Sequence, residues 1–178
     1  MSVNNEVDLF DIAHKEREEQ AAFRRTVLCC GSTACLSGGA QAAIDAIQAG
    51  VTEKGLQQEV RVVATGCMGL CSRGPLVKVR TRGEDDVLYA DVDAATGTRI
   101  AEEHLVAGKP VEDVRMSLEH PFFARQERVV LENMGEIDPN RIEDYIAHGG
   151  YRALRDAVTT MTPAGVVGIV QRSGLRGR

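Results

Sequence analysis

The chain has 178 residues and a formal net charge of −5, and 43% of its residues are hydrophobic. No cluster of Lys and Arg offsets this charge, which disfavours binding to nucleic acid or a membrane surface, because both depend on neutralised phosphates. No apolar run has the length of a membrane span, and the N-terminus lacks a secretory apolar segment, so we expect a cytoplasmic protein. Five cysteines in such a chain favour metal or redox chemistry over a disulfide framework.

The first third of the chain alternates between helix and strand patterns. An amphipathic surface helix is predicted over residues 6–24. Three glutamates are assigned to its solvated face: Glu16, Glu18 and Glu19. Residues 26–30 are rich in β-branched side chains, which predicts a buried strand. The apolar spacing of three and four residues then predicts a helix from Gly39 to Gly55.

The middle of the chain favours three strands and one more helix. Residues 60–64 form a second short apolar run, and residues 76–80 and 87–92 alternate on either side of the turn signal at 83–86, which predicts a hairpin. A helix then ends at Gly108. A helical connection between the first two strands predicts that they are parallel, since a parallel pair needs a long crossover.

This order of elements is that of a thioredoxin-like α/β unit, which we place at residues 25–112, after an N-terminal helix within residues 1–24. Residues 113–178 are expected to form a linker and a mostly helical segment. Within it, Ser117–Met134 has weak periodicity and is expected to lie over other protein.

Three short capped helices are predicted at the C-terminal end. The first is capped by Asp138-Pro139 and ends at Gly149-Gly150, the second contains Tyr151, Leu154 and Val158, and the third begins at Thr162-Pro163 and ends at Gly174. These helices carry too few apolar residues to form a core, so we expect them to pack on protein outside this chain.

Four cysteines lie in two glycine-rich loops, each after a predicted strand. Cys30 and Cys35 are separated by four residues, and Cys67 and Cys71 by three. Because the ends of two parallel strands meet at one edge of a sheet, both loops are predicted to converge there. Four thiolates suit a [2Fe–2S] cluster, two per iron, and glycines leave backbone amides free to donate to sulfur.

Three other interpretations remain open. Structural zinc also takes four cysteines, although its paired ligands are most often separated by two residues. A thioredoxin-type dithiol catalyst needs a Cys-x-x-Cys motif, which is absent. The cysteines could also be unconnected core residues, which their position in glycine-rich loops disfavours.

The remaining cysteine and the histidines are given structural roles. Cys29 is expected to face the core as a small hydrophobic residue, because neighbouring strand residues point to opposite faces. His104 and His148 lie late in predicted helices, where interaction with the helix dipole is a sufficient explanation. We assign no histidine, and no other residue, a catalytic role.

The cysteine motifs, with Gly74-Pro75-Leu76-Val77-Lys78-Val79 after them, resemble the thioredoxin-like [2Fe–2S] ferredoxins that occur beside or fused to the NADH-oxidising flavin subunit of complex I. The later segments resemble the start of that flavin subunit. They are Ile142-Glu143-Asp144-Tyr145-Ile146, Gly149-Gly150-Tyr151, Met161-Thr162-Pro163 and Ser173-Gly174-Leu175-Arg176-Gly177-Arg178. The combination is most similar to the diaphorase subunits of NAD-linked or electron-bifurcating hydrogenases and formate dehydrogenases.

The resemblance implies cofactors and partners beyond the cysteine site. It implies FMN, NAD(P) and a [4Fe–4S] cluster in a continuation of the chain or in a partner, and other iron–sulfur subunits of an oxidoreductase complex as partners. Gly177 and Arg178 would begin the loop that holds the flavin phosphate through backbone amides. The sequence is therefore expected to be part of a longer subunit, or to be completed by another chain.

Overall fold

A five-stranded mixed sheet positions the cysteine loops. In the computed structural model, which describes residues 8–177, the strands are β1 (Arg25–Cys30), β2 (Val60–Thr65), β3 (Val77–Thr81), β4 (Val87–Tyr89) and β5 (Arg115–Met116). Their order in the sheet is β2-β1-β3-β4-β5. β1 and β2 are parallel and β3–β4 is an antiparallel hairpin, as predicted. The sequence did not predict β5, because two residues are too few to show an alternating pattern.

Helices cover the sheet and extend beyond it. In the described part of the chain the α-helices are α1 (Leu9–Ala22), α2 (Thr33–Ser37), α3 (Ala40–Glu53), α4 (Ala94–Arg99), α5 (Pro121–Ala124), α6 (Ile142–Ala147), α7 (Arg152–Thr160) and α8 (Pro163–Ser173). α4 continues as a π-helix over Ile100–Val106. This order, with the strand topology, confirms the predicted α/β class of the cysteine-bearing domain.

The two faces of the sheet carry two separate apolar clusters. Because side chains alternate along a strand, Val27 and Cys29 of β1 join the larger cluster with α3 and the helix after β4. Leu28 and Cys30 face the other side and join a smaller cluster that includes Met68. β1 therefore supplies a core residue and a residue of the cysteine loop from adjacent positions.

His104 is a core residue rather than a cation at a helix end. Its ring is buried, and its Nδ1 lies 2.7 Å from the Tyr89 hydroxyl, which in turn accepts a hydrogen bond from the Val111 amide. Burial lowers the pKa of His104, which favours the neutral ring. His104 does lie in the last turn of its helix, as predicted, although burial and the contact with Tyr89 are its main interactions. His148 follows the last turn of α6, with its Nδ1 2.8 Å from the Asp144 carbonyl oxygen.

A buried ionic cluster joins α1 to α6. Glu16, which the sequence placed on a solvated face, is only 3% exposed. Its carboxylate accepts hydrogen bonds from Arg141 at 2.8 Å and from Gln20 at 2.9 Å. Gln20 also donates to Asp144 at 2.7 Å, and Arg61 of β2 donates to the same carboxylate at 3.0 Å. The prediction for Glu16 was wrong because its ionic partner Arg141 lies far away in the sequence.

The C-terminal helices match the sequence in part. α6 begins at Ile142, and Asp138 caps no helix but accepts a hydrogen bond from the Asn140 amide, so the predicted start was wrong. Thr162 does cap α8, and Gly174 ends it with a positive φ of 67°. Large apolar residues of α7 and α8 remain exposed. None of the helices within residues 8–177 is both long enough and apolar enough to cross a bilayer.

Candidate metal centre

The two cysteine loops leave the sheet at the same edge. Cys30 ends β1 directly opposite Thr65, which ends β2. The Gly31 amide donates to the Thr65 carbonyl at 2.9 Å, and the Cys30 amide donates to the Leu76 carbonyl at 2.9 Å. These bonds fix the start of the first loop against the second strand and against the exit of the second loop. The predicted convergence of the loops is therefore present in the structure.

The first cysteine pair is buried. Cys30 and Cys35 are 1% and 3% exposed and belong to the same apolar cluster. Cys35 lies on α2, the short helix that follows β1. Burial and the neighbouring Cys30 thiol raise the pKa of Cys35 to about 12, although the Leu76 amide acts in the opposite direction. Without a cation the Cys35 thiol would stay protonated, and metal binding would release its proton.

The second cysteine pair lies at the surface. The Cys67 and Cys71 sulfurs are 3.8 Å apart, and Cys71 is exposed. The hydrogen bond between the two thiols is the main cause that raises the pKa of Cys71. The Gly69 amide donates to the Cys67 sulfur at 3.3 Å, and the φ of Gly69 is +104°, a value that residues with a side chain rarely adopt. The glycine thus turns a backbone donor toward sulfur, as the loop composition suggested.

The two pairs lie close to one another. Cys71 is among the groups that raise the pKa of Cys35. A Cβ at Gly74 would lie 2.7 Å from the Cys35 sulfur and 3.4 Å from the Cys71 carbonyl oxygen, so only glycine fits between them. Within residues 8–177, no three His, Cys, Asp or Glu side chains gather closely enough to hold one metal ion. A binuclear iron–sulfur cluster takes two thiolates per iron, whereas a structural zinc ion takes four ligands at one point.

Cys29 lies on the opposite face of the sheet from this site. Its side chain is 1% exposed within the larger apolar cluster. Burial, with a smaller effect of Cys30, raises the pKa of Cys29 to about 12. Cys29 is therefore a neutral core thiol, in the position that strand alternation predicts.

A segment whose contact was not predicted from the sequence packs on the second cysteine loop. We call residues 117–136 the cover segment. The ring of Phe122 would lie 3.0 Å from a Cβ on Gly69, and Arg128 donates to the Met68 carbonyl oxygen at 3.1 Å. This segment was expected to lie over other protein, but it packs on its own domain. The adjacent Phe122-Phe123 pair indicates that this segment packs on an apolar surface, but without periodicity it does not indicate which surface.

The predicted start of a phosphate loop lies at the end of the described residues. Gly177 has no neighbour within 4 Å of a Cβ placed on it. Arg178 lies outside the described residues. Their role in holding FMN therefore stays a prediction.

Comparisons with known proteins identify relatives of two kinds. The chain is 32% identical over 82 residues to a [2Fe–2S] ferredoxin of Clostridium pasteurianum, a match that covers 46% of this chain and 78% of the ferredoxin. It is 57% identical over 54 residues to the NADP-reducing hydrogenase subunit HndC of Solidesulfovibrio fructosivorans, which is 30% of this chain and 11% of the hydrogenase subunit. It is 46% identical over 52 residues to an NADH-quinone oxidoreductase subunit of Rhizobium meliloti, 29% of this chain and 12% of that protein.

The matched part of the chain thus spans only about a tenth of the two larger relatives. A solved thioredoxin-like [2Fe–2S] ferredoxin from Aquifex aeolicus is 28% identical with a TM-score of 0.48, over 54% of this chain and 93% of that one. No family model matches the chain. The resemblances stated from the sequence motifs are confirmed by the clostridial ferredoxin and the two larger relatives.

Proposed function

The chain belongs to the family of [2Fe–2S] ferredoxins, and from this premise we propose that it binds a [2Fe–2S] cluster through Cys30, Cys35, Cys67 and Cys71 and transfers single electrons. The observation that carries the proposal is the meeting of two thiol pairs at one edge of the sheet. Each pair supplies two thiolates, which is the requirement of one iron in such a cluster.

The two thiol pairs differ in their exposure to water. Cys30 and Cys35 are buried among apolar side chains, which keeps water from that pair. Cys71 is exposed, so the second pair faces the side from which an electron partner can approach. When bound, the cluster supplies reversible uptake of one electron, and the Gly69 amide stabilises the negative charge on the Cys67 sulfur.

We further propose that the chain acts within an NAD(P)H-linked flavoenzyme complex of the hydrogenase, formate dehydrogenase or complex I type. The support is the identity shared with the hydrogenase subunit and with the NADH-quinone oxidoreductase subunit. FMN, NAD(P) and a [4Fe–4S] cluster would be held by a continuation of the chain or by partner subunits, with Gly177 and Arg178 at the start of the flavin phosphate loop. In this proposal the chain alone is not catalytic, and it is cytoplasmic, reaching a membrane only through partners.

A second candidate function is a zinc-stabilised or cluster-stabilised docking domain without a redox role. The exposed apolar residues of α7 and α8, such as Leu154 and Val158, favour a docking role. The division of the chain into residues 1–24, 25–112 and 113–178 belongs to both proposals, since each assigns the C-terminal helices of the last part to contacts with other protein.

Metal analysis and spectroscopy of the purified chain separate the two candidates. Two irons and two sulfides per chain, with visible absorption and a paramagnetic signal after reduction by dithionite, support electron transfer. One zinc per chain and no visible absorption would support the docking domain and contradict the electron-transfer proposal.

Serine variants test the ligand assignment. Cys30→Ser, Cys35→Ser and Cys67→Ser are each expected to bleach the visible spectrum, because each removes one of four thiolates and cluster binding is coupled to loop structure. Cys29→Ser is the matched control, since Cys29 is adjacent to Cys30 but faces the opposite cluster. A colourless Cys29→Ser protein that remains folded by circular dichroism would show that the wrong neighbour was chosen.

A further inference from the structure

Two arginines lie beside the second cysteine loop, and they differ in how their charges are compensated. Arg73 follows Cys71 closely in sequence, but its guanidinium is paired with the Asp91 carboxylate at 2.7 Å. Among the described residues, the guanidinium of the half-buried Arg128 of the cover segment donates hydrogen bonds only to neutral oxygens. These are Gln126 Oε1 at 3.3 Å, the Met134 carbonyl at 3.1 Å and the Met68 carbonyl at 3.1 Å. Arg128 thus brings an uncompensated positive charge to this loop.

The guanidinium of Arg128 is held close to a sulfur. Its Nη2 lies 3.1 Å from the Met68 carbonyl oxygen and 3.7 Å from the Cβ position of Gly69. The Gly69 amide in turn donates to the Cys67 sulfur at 3.3 Å. With ordinary covalent geometry, the guanidinium is therefore within about 10 Å of that sulfur. This is on the order of one Debye length at physiological salt, and partial burial weakens screening further.

We propose that Arg128 raises the reduction potential of the cluster. Its hydrogen bonds to neutral oxygens hold its positive charge beside the Cys67 loop, where that charge favours the reduced cluster. This inference rests on the proposed function, since it requires a bound [2Fe–2S] cluster. Reduction by dithionite adds one electron and so increases the negative charge on the thiolate-ligated centre. A nearby cation stabilises the more negative state and raises the reduction potential.

A redox titration of the cluster-loaded full chain, followed by electron paramagnetic resonance, measures the effect. At the midpoint of the unsubstituted protein, Arg128→Gln should raise the ratio of oxidised to reduced cluster by about tenfold, a potential lower by about 59 mV for one electron. Arg128→Lys keeps the charge but lacks the planar fork. Its ratio should stay within about threefold of the unsubstituted value.

Gln126→Glu offers a second route that leaves Arg128 in place. Gln126 is exposed and already accepts a bond from the Arg128 Nε, so a carboxylate there pairs with the guanidinium and should lower the potential without loss of the fold. Arg125→Gln is the matched control. It removes the same charge from the same segment at an exposed position, and solvent screening should limit its effect to less than about twofold.

The outcomes separate this inference from the proposed function. If the unsubstituted chain holds no [2Fe–2S] cluster, the proposed function fails, and this inference fails with it. If the cluster is present but Arg128→Gln and Gln126→Glu leave the potential unchanged, only the role of Arg128 is overturned. The role is also overturned if Arg125→Gln shifts the potential equally, or if Arg128→Lys shifts it as far as Arg128→Gln.

Discussion

Gly74 leaves no room for a side chain at the cysteine site. Its φ of −79° and ψ of 159° are extended values that alanine adopts without strain. A methyl group there would nevertheless lie 2.7 Å from the Cys35 sulfur, a distance that forces this sulfur to move. The need for glycine at this position thus comes from a side-chain contact and not from the backbone.

Gly74→Ala is therefore expected to reduce cluster occupancy at least severalfold, because the added methyl displaces one of the four thiolates. Iron content per chain and visible absorbance measure the loss. Gly38→Ala is the matched control from the other cysteine loop, since its added methyl meets only ordinary contacts of 3.4 Å or more. Equal iron content in both variants would contradict a role for Gly74 in seating Cys35.

The sequence predicted where the cysteine side chains lie, but it did not predict the contacts of the buried or half-buried charged side chains. Strand alternation alone separates Cys29 from Cys30, and the structure places them on opposite faces of the sheet. Glu16 carries no such signal, because its burial depends on Arg141, which lies 125 positions later. Arg128 was missed for a related reason, since its partner Met68 is 60 positions earlier.

Among the elements, α1 and α6 depend on each other through Asp144. Burial alone would raise the pKa of Asp144, but bonds from the Asp138 amide, Arg61 and Gln20 outweigh it and hold the pKa below its usual range. Because the pKa is lower in the folded chain, the stabilisation is complete above the unfolded value, near pH 4. It is lost as the pH falls through the folded pKa.

Asp144→Asn should lower the free energy of unfolding at pH 7 by about 2 kcal/mol, because it removes a charge that several donors stabilise. Urea denaturation at pH 7 and at pH 3 measures this difference, which should shrink at the lower pH because Asp144 takes up a proton in the unfolded chain before it does in the folded one.

The matched control for this change is Asp156→Asn, which alters a partly exposed ion pair with Arg155 and should cost less than about 1 kcal/mol. A difference between wild type and Asp144→Asn that stays constant from pH 7 to pH 3 would contradict the electrostatic account.

The elements themselves were predictable where a period extends over many residues. α3 shows the expected burial of Ala43, Ile44, Ile47 and Val51, since helical spacing and a core-facing stripe are the same property. The start of α6 and the contacts of the cover segment could not be predicted, because short irregular stretches take their conformation from the protein they contact. The boundary near residue 112 stays a prediction, and β5 lies three residues beyond it.

In the molecule as a whole, the C-terminal helices α7 and α8 leave large apolar side chains exposed to solvent. Leu154 and Val158 of α7 are 57% and 72% exposed, and Val167, Ile169 and Val170 of α8 are also exposed. Contiguous exposed apolar surface on a protein usually marks a binding surface. This agrees with the expectation that these helices pack on other protein.

The purified chain should therefore bind the hydrophobic dye ANS, and replacing both Leu154 and Val158 by Gln should reduce the fluorescence at least twofold. Because both side chains are exposed, the free energy of unfolding should change by less than about 0.5 kcal/mol, and the visible spectrum should not change. Val106→Gln is the matched control, an apolar residue 51% exposed but outside α7 and α8. If the double variant loses several kcal/mol of stability, these residues contribute to an internal core, and the surface is not available for docking.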